Sequence, residues 1–202
     1  SNNSSHTTKL MNDLSKNGEL KLENKELEKL RENFCSESLS EDETKLTIKE
    51  VYNNYKILID PHTAIGVGAA KKKSLEGKNI LGICLGMQLL SQQSEELEIT
   101  KGLKIMKGET KTLPFNHHIG WNKVHFQKNS VFSFLDKQDF YFQHQYYVNQ
   151  NYTNEAAYFN FQGKKFLAYK KKFNTIGVQF HPEKSQESGL NFFKCYLEQI
   201  ND

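Results

Sequence analysis

The sequence predicts an α/β fold built on an open sheet, with a helical segment ahead of it. Two stretches carry that prediction. Residues 82–90 read GICLGMQLL. An apolar run over residues 80–83 enters as a buried strand, Cys84 sits in a G-x-C-x-G turn, and Met87, Gln88, Leu89 and Leu90 begin a helix. This strand–turn–helix order is that of a nucleophile elbow. A hundred residues on, TIGVQF (residues 175–180) is a second short buried strand. It delivers His181-Pro182-Glu183 at its carboxyl end, with a helical pattern over residues 186–200 behind it. In open α/β sheets, active residues gather beyond the carboxyl ends of the strands, where both stretches fall.

The chemistry follows from the residue types. At the elbow, a Cβ at Gly82 or at Gly86 is expected to crowd neighbouring backbone. The helix N-terminus is expected to favour thiolate over thiol at Cys84. A cysteine nucleophile needs a base, and the base needs an orienting acceptor. Glu183 lies two residues after His181, with Pro182 stiffening the link, so its carboxylate reaches the far imidazole nitrogen. Alone, Cys84 reads as a small core residue and H-P-E as a surface histidine beside a solvated glutamate. Together the two motifs outweigh those readings.

The remaining elements follow in order. Residues 1–8 are polar, a helix lead-in or a loose end. NKELEKLRENF (residues 24–34) carries Leu27, Leu30 and Phe34 at helical spacing, with Asn24 as N-cap. Ser40-Glu41-Asp42-Glu43 reads as a capping box, and its helix runs to about Tyr55 with Leu46, Ile48, Val51 and Tyr52 inward. Cys35 falls in the polar link between these helices. Residues 56–60 read as a short strand ended by Pro61, and residues 69–76 as about two helical turns. After the elbow, residues 102–111, 122–127 and 139–148 read as strands, and residues 156–161 and 165–169 as a hairpin across Gln162-Gly163. Cys195 lies on the last helix, as a packing residue.

Composition narrows the class. The 202 residues hold one α/β domain or a domain with an appendage. Apolar residues make up 37%, and the mean hydropathy of −0.71 marks a lysine- and asparagine-rich surface. A net charge of +3 is too small to argue for nucleic acid. The clusters Lys71–Lys73 and Lys170–Lys172 read as solvated faces or hairpin ends. Three cysteines cannot all pair, and their spacing fits no zinc pattern. His117 and His118 are adjacent, so their side chains diverge and make no metal pair. No apolar stretch reaches membrane-spanning length and no signal peptide precedes Ser1. The expected compartment is the cytoplasm, which keeps a thiol reduced.

GICLGMQLL, HIGWN (residues 118–122), FYFQHQY (140–146) and GVQFHPEKS (177–185), in that order, resemble the class I (triad) glutamine amidotransferases. HIGWN makes the resemblance most specific to the glutaminase subunits of imidazole glycerol phosphate synthase, over residues 77–202. The resemblance implies a flavodoxin-like open sheet. It also implies hydrolysis of glutamine to glutamate and ammonia, with Cys84 as nucleophile, His181 as acid and base, and Glu183 as its orienter. The backbone N–H of Leu85 would serve the oxyanion, with a second donor from a glycine loop. Gln88, His144, Gln145 and Tyr146 match positions that hold substrate glutamine. Trp121, Asn122 and Lys184 match the interface with a (β/α)₈-barrel cyclase subunit that receives the ammonia. No metal or organic cofactor is implied. The alternatives are an amidotransferase paralogue serving surface-sugar biosynthesis and a catalytically impaired hybrid.

The hybrid reading comes from the front of the chain. Residues 1–73, and ILIDPHTAIGVGAA (57–70) above all, are similar to the C-terminal part of threonine synthase. The region for that enzyme's Schiff-base lysine is absent, so no working pyridoxal-phosphate site is expected. The two resemblances meet at Gly66-Val67-Gly68, since such glutaminases use a P-G-V-G oxyanion loop. The expected division is a helical segment over residues 1–76 and an amidotransferase domain over 77–202, with N-terminal strands partly missing. Without an initiator methionine, the chain reads as a fragment or a join of two pieces. Poor stability and weak or absent catalysis are expected from an incomplete sheet.

Overall fold

A computed structural model describes residues 4–33, 37–56, 58–75, 77, 79–96, 99–150 and 155–199. The chain divides into two compact units, residues 1–37 and 38–202. The first holds helices α1 (Ser4–Asn17) and α2 (Asn24–Asn33). The polar opening is therefore helical from Ser4 onward. The start of α2 lies one residue earlier than the Asn24 cap expected: Leu27 N–H donates to Glu23 O, and the Glu26 carboxylate accepts from Glu23 N–H. Phe34 and Cys35 lie outside the described residues.

The second unit opens with α3 (Glu41–Tyr55) and α4 (Pro61–Leu75). Ser40 and Glu43 form the expected capping box, and Lys56 ends α3 in a left-handed conformation. The buried side of α3 carries Thr44 and Val51 with Ile48, whereas Leu46 and Tyr52 are exposed. Residues 56 and 58–60 are not a strand. Asp60 instead caps α4, accepting from the N–H groups of His62 and Thr63, and Pro61 takes the first helical position, where its missing N–H costs nothing. Gly66-Val67-Gly68 consequently lies in mid-helix rather than in a loop. The break after Glu37 leaves α3 and α4 in the same unit as the sheet, whereas the expected division lay at 76/77.

Ten strands follow. They are β1 (Ile80–Ile83), β2 (Gln93–Ser94), β3 (Thr100–Lys101), β4 (Glu109–Thr112), β5 (His118–His125), β6 (Gln138–His144), β7 (Tyr146–Asn149), β8 (Ala156–Phe161), β9 (Lys164–Lys172) and β10 (Thr175–Val178). Helix α5 (Leu85–Leu89) follows β1, and α6 (Gln186–Gln199) follows β10. The larger sheet has the order β1-β10-β9-β8-β5-β6, and the smaller β3-β2-β4-β7. Among the described residues no strand precedes β1. In the larger sheet only β1 and β10 run parallel, with Gly82 opposite Gly177; the other pairs are antiparallel. The sheet is therefore mixed, and β1 ends it.

The core lies between the antiparallel strands and α6. Phe132 stacks on Phe192 at 4.8 Å, and Phe140 meets Phe180 at 4.3 Å. A separate small cluster of Val51, Ile59 and Ala64 ties α3 to α4. Beside the outer edge of β1 lies a cavity of about 500 Å³, lined by Val51, Val67, Ile80, Ile83, Leu89 and Leu90 among others. Lys170 is buried rather than solvated; its ammonium donates to Lys107 O, while Lys172 donates to Ile105 O at 2.7 Å. Two lysines thus anchor the 105–107 loop to β9. No described helix is long and apolar enough to cross a membrane.

Candidate active site

Cys84 occupies the turn between β1 and α5 with φ 51° and ψ −104°, a sparsely populated conformation for a residue bearing a Cβ. Two bonds hold it there: Cys84 N–H donates to Val178 O at 2.7 Å, and Gln88 N–H donates to Cys84 O at 3.2 Å. The first ties the elbow to the carboxyl end of β10, the strand that delivers His181. At Gly82 a Cβ would lie 2.8 Å from the Gly86 carbonyl carbon, so glycine is required. A Cβ on Gly86 itself would meet open space, contrary to expectation; it is the backbone of Gly86 that must approach Gly82.

The sulfur is half-buried and meets two polar groups. Gln179 Nε2 donates to Sγ at 3.7 Å, and the Gln143 carbonyl lies 3.7 Å away. Burial pushes the Cys84 thiol up, and the Glu183 charge adds to that; Leu85 N–H, the Lys184 charge and the Gln179 amide pull it down. The thiolate preference expected from the helix end does not prevail. Helix α5 has only five residues, and desolvation outweighs its contribution.

His181 Nδ1 lies 2.6 Å from Glu183 Oε1. The H-P-E segment is a single 3₁₀ turn at Pro182–Lys184, pinned from both sides. His181 N–H donates to Tyr141 O, Ser185 Oγ–H donates to His181 O at 2.6 Å, and Tyr141 N–H donates to Ser185 Oγ at 2.9 Å. Helix α6 crosses this turn so closely that a Cβ at Gly189 would lie 1.8 Å from Pro182 O. With Nδ1 committed to Glu183, Nε2 is the imidazole nitrogen left for proton transfer. Among the described residues the sulfur's hydrogen-bond partners are Gln143 and Gln179, so Cys84 and His181 are not directly bonded in this state. Catalytic hydrogen bonds commonly tighten only with substrate bound.

The other expected substrate residues take different positions. Gln88 is buried and its Nε2 donates to Tyr146 O at 2.7 Å and to Gln179 Oε1 at 3.3 Å. His144 is buried behind the site, whereas Gln145 is exposed and its carbonyl accepts from Leu113 N–H. Tyr146 takes part through its carbonyl. Around His144 the tautomers are fixed by elimination. Nδ1 lies 2.8 Å from the Tyr146 carbonyl, which can only accept, so Nδ1 carries the proton and Nε2 is bare. His118 Nδ1, 3.1 Å from that bare nitrogen, must donate to it, and Asn122 Nδ2 donates at 2.9 Å to His118 Nε2. Burial pushes His118 down to about 4 and His144 to about 3, keeping both neutral.

A cleft of about 650 Å³ adjoins Leu85 and Gln88 and includes Lys56, Asp60, Glu96 and Thr100. It is large enough for an amino acid and offers charge of both signs. In the sequence Lys56 and Asp60 read as the ends of a short strand, and Glu96 and Thr100 did not stand out. Gln179 did not stand out either: it read as part of the buried strand TIGVQF, and it lies just past the end of β10. Leu85 N–H faces the sulfur, as an oxyanion donor requires, but Gly66–Gly68 supplies no loop for a second donor. Among the described residues no cluster of three His, Cys, Asp or Glu is placed to hold a metal.

Trp121, on β5, is half-exposed and meets Tyr141 edge-on at 5.8 Å. Lys184 Nζ donates to Gln143 Oε1 at 3.0 Å and lies over the Tyr141 ring. Ile119, two residues from Trp121 on the same face of the strand, is 63% exposed. These side chains make one surface, continuous with His181 and Glu183 through Lys184.

The family model of the class-I glutamine amidotransferases matches residues 28–197. The chain belongs to that family. The match starts inside the segment read as similar to threonine synthase, and the findings give that second resemblance no support. Curated relatives of this amidotransferase include the imidazole glycerol phosphate synthase subunit HisH 2 of Vibrio vulnificus, 42% identical over 130 residues, 61% of this chain and 60% of that protein. The HisH subunit of Chlorobaculum tepidum is 43% identical over 132 residues, 61% of this chain and 65% of that protein. That of Caldanaerobacter subterraneus is 42% identical over 130 residues, covering 62% and 64%. The chain spans between three-fifths and two-thirds of the length of these relatives.

Proposed function

We propose that this amidotransferase chain hydrolyses glutamine as the glutaminase subunit of an imidazole glycerol phosphate synthase, in the cytoplasm. The observation that carries the reading is one constellation: a cysteine at positive φ on the end of β1, and a histidine–carboxylate pair at 2.6 Å on the end of the neighbouring parallel strand β10. The relatives, named as HisH subunits, support the assignment to that synthase. Cys84 Sγ gives its proton to His181 and attacks the side-chain carbonyl carbon of glutamine, forming a C–S bond and an oxyanion that faces Leu85 N–H. The oxyanion collapses, the C–N bond breaks, and His181 returns the proton to the departing ammonia. His181 then takes a proton from water, which attacks the thioester and releases glutamate with the thiol restored. Glu183 holds the imidazole through Nδ1 and offsets its charge. Ammonia passes to a (β/α)₈-barrel cyclase subunit docked on Trp121 and Lys184, whereas Asn122, expected at that interface, turns to His118 on the other face of β5.

A second reading, weak basal catalysis, is favoured by the helical Gly66–Gly68 segment and the raised Cys84 thiol. The two readings meet in one assay: glutamate release with and without a barrel cyclase. Cys84→Ala is expected to abolish release, and Glu183→Gln to lower kcat by on the order of 10²–10⁴-fold. Turnover by Cys84→Ala equal to that of the parent chain would remove the thiol from the mechanism. Equal turnover with and without the barrel would remove the partner from the proposal.

A further inference from the structure

We infer that Gln179 is a positioning residue for the nucleophile: its buried side-chain amide aims a donor at Cys84 Sγ, and Gln88 holds that amide in place. The inference rests on the reading of Cys84 as a glutaminase nucleophile. Gln179 is fully buried in a segment whose neighbours Val178 and Phe180 are equally buried. An amide there is costly unless its donors and acceptor are paired. The pairing found has one direction only. Gln179 Oε1 accepts from Gln88 Nε2 at 3.3 Å, which identifies the other end of the Gln179 amide as the nitrogen. That nitrogen points at Cys84 Sγ at 3.7 Å.

Gln88 is fixed in turn. Its Nε2 spends its second proton on Tyr146 O at 2.7 Å, and Tyr146 O also accepts from His144 Nδ1. The Gln88 amide is therefore orientated by a carbonyl that can only accept, and the Gln179 amide in turn by the Gln88 N–H donor. Gln179 cannot flip its oxygen toward the sulfur without turning its own N–H donors onto Gln88 Nε2, which also only donates and is held in that direction by Tyr146 O. A donor held on Sγ favours the anion over the thiol, and it opposes the burial and the Glu183 charge that push the other way. The residue touches the nucleophile rather than the substrate, and it acts on when the sulfur ionises.

The test follows the pH dependence of Cys84 alkylation by iodoacetamide in the full chain, read peptide by peptide in a mass spectrometer. Gln179→Met keeps the length and volume of the side chain and removes the donor. It is expected to raise the midpoint of the Cys84 rate profile by roughly one pH unit, the scale of one hydrogen bond to a charged acceptor. Gln88→Met is expected to move it the same way by less. Buried Cys195 is the internal control, since it labels quickly only if the fold opens. Should Gln179→Met unmask Cys195, Gln179→Glu keeps the shape and replaces the donor with a carboxylate, with a larger rise expected. An unchanged Cys84 midpoint in a variant that still protects Cys195 overturns the inference. The alkylation readout needs no turnover. A raised midpoint in a chain that hydrolyses no glutamine even with a barrel cyclase present would sustain the Gln179 contact with the Cys84 sulfur and reject the glutaminase reading instead.

Discussion

The imidazoles of His118 and His144 are deep inside the protein, whereas the proposed mechanism uses one histidine, His181. Both are held neutral, at about 4 and about 3 against an ordinary 6.5, and burial is the cause. His118 lies flat between Phe142 and Phe161, so protonating it would put a charge among rings. The unfolded chain takes up these protons as pH falls through 6.5, while the folded chain resists until about 4 and lower. Between those limits the unfolded state holds more protons, so folding stability must fall with falling pH. Urea midpoints measured from pH 7 to pH 4 are expected to drop over this window. His118→Phe, less stable overall because His144 Nε2 loses its donor, should show a shallower drop; an unchanged slope would place the proton uptake elsewhere. At this scale the sequence was informative where chemistry sets spacing. Cys84, His181 and Glu183 were legible because an elbow and an H-P-E turn each need a fixed local order. Gln179 was not, because nothing in TIGVQF distinguishes a glutamine aimed at sulfur from one aimed at solvent.

Among the elements, legibility follows how local the determinants are. The β8–β9 hairpin turns at Gln162-Gly163, and the capping box of α3 lies within four residues, so both could be read directly. Residues 56–70 failed that test. The apolar Ile57-Leu58-Ile59 run resembles a strand, but Asp60 and Pro61 together make a helix start. Once α4 begins, Ala64, Ala69 and Ala70 favour its continuation through both glycines. This difference is measurable. Gly66 lies in a helix interior with open space where a Cβ would stand, so Gly66→Ala is expected to stabilise the chain by roughly 0.5–1 kcal/mol. At Gly68 a Cβ would press on Leu39, so Gly68→Ala should give a smaller gain. Thermal melts of the two variants beside a glutaminase assay separate the structures. If the segment were an oxyanion loop, Gly66→Ala would lower turnover and add no stability.

For the whole molecule, the asymmetry between the two sides of the site decides what a partner can reach. On one side, β1 ends the sheet beside a cavity of about 500 Å³, and the helices α3 and α4 share only a small apolar cluster. On the other, β5 and β6 are anchored in the aromatic core through Val124, Phe140 and Phe142, all fully buried, while the opposite face of β5 presents Ile119 and Trp121. A protein partner needs a rigid surface with aromatic anchors near its centre. Of these two sides the β5–β6 face has that combination, and Lys184 joins it to the H-P-E turn. Trp121→Ala removes a half-exposed ring whose contact is with Tyr141, so its cost to folding should be small. Its cost to docking should be large, 2 kcal/mol or more if the ring fills a pocket of the barrel, on the order of a thirtyfold rise in Kd. Lys184→Ala loses a charge held by Gln143 and should act mainly through the association rate, and more strongly at low salt. Titration calorimetry of both variants against a barrel cyclase, with thermal melts alongside, tests the assignment. Unchanged Kd in both variants, with the melts intact, would move the docking surface away from β5.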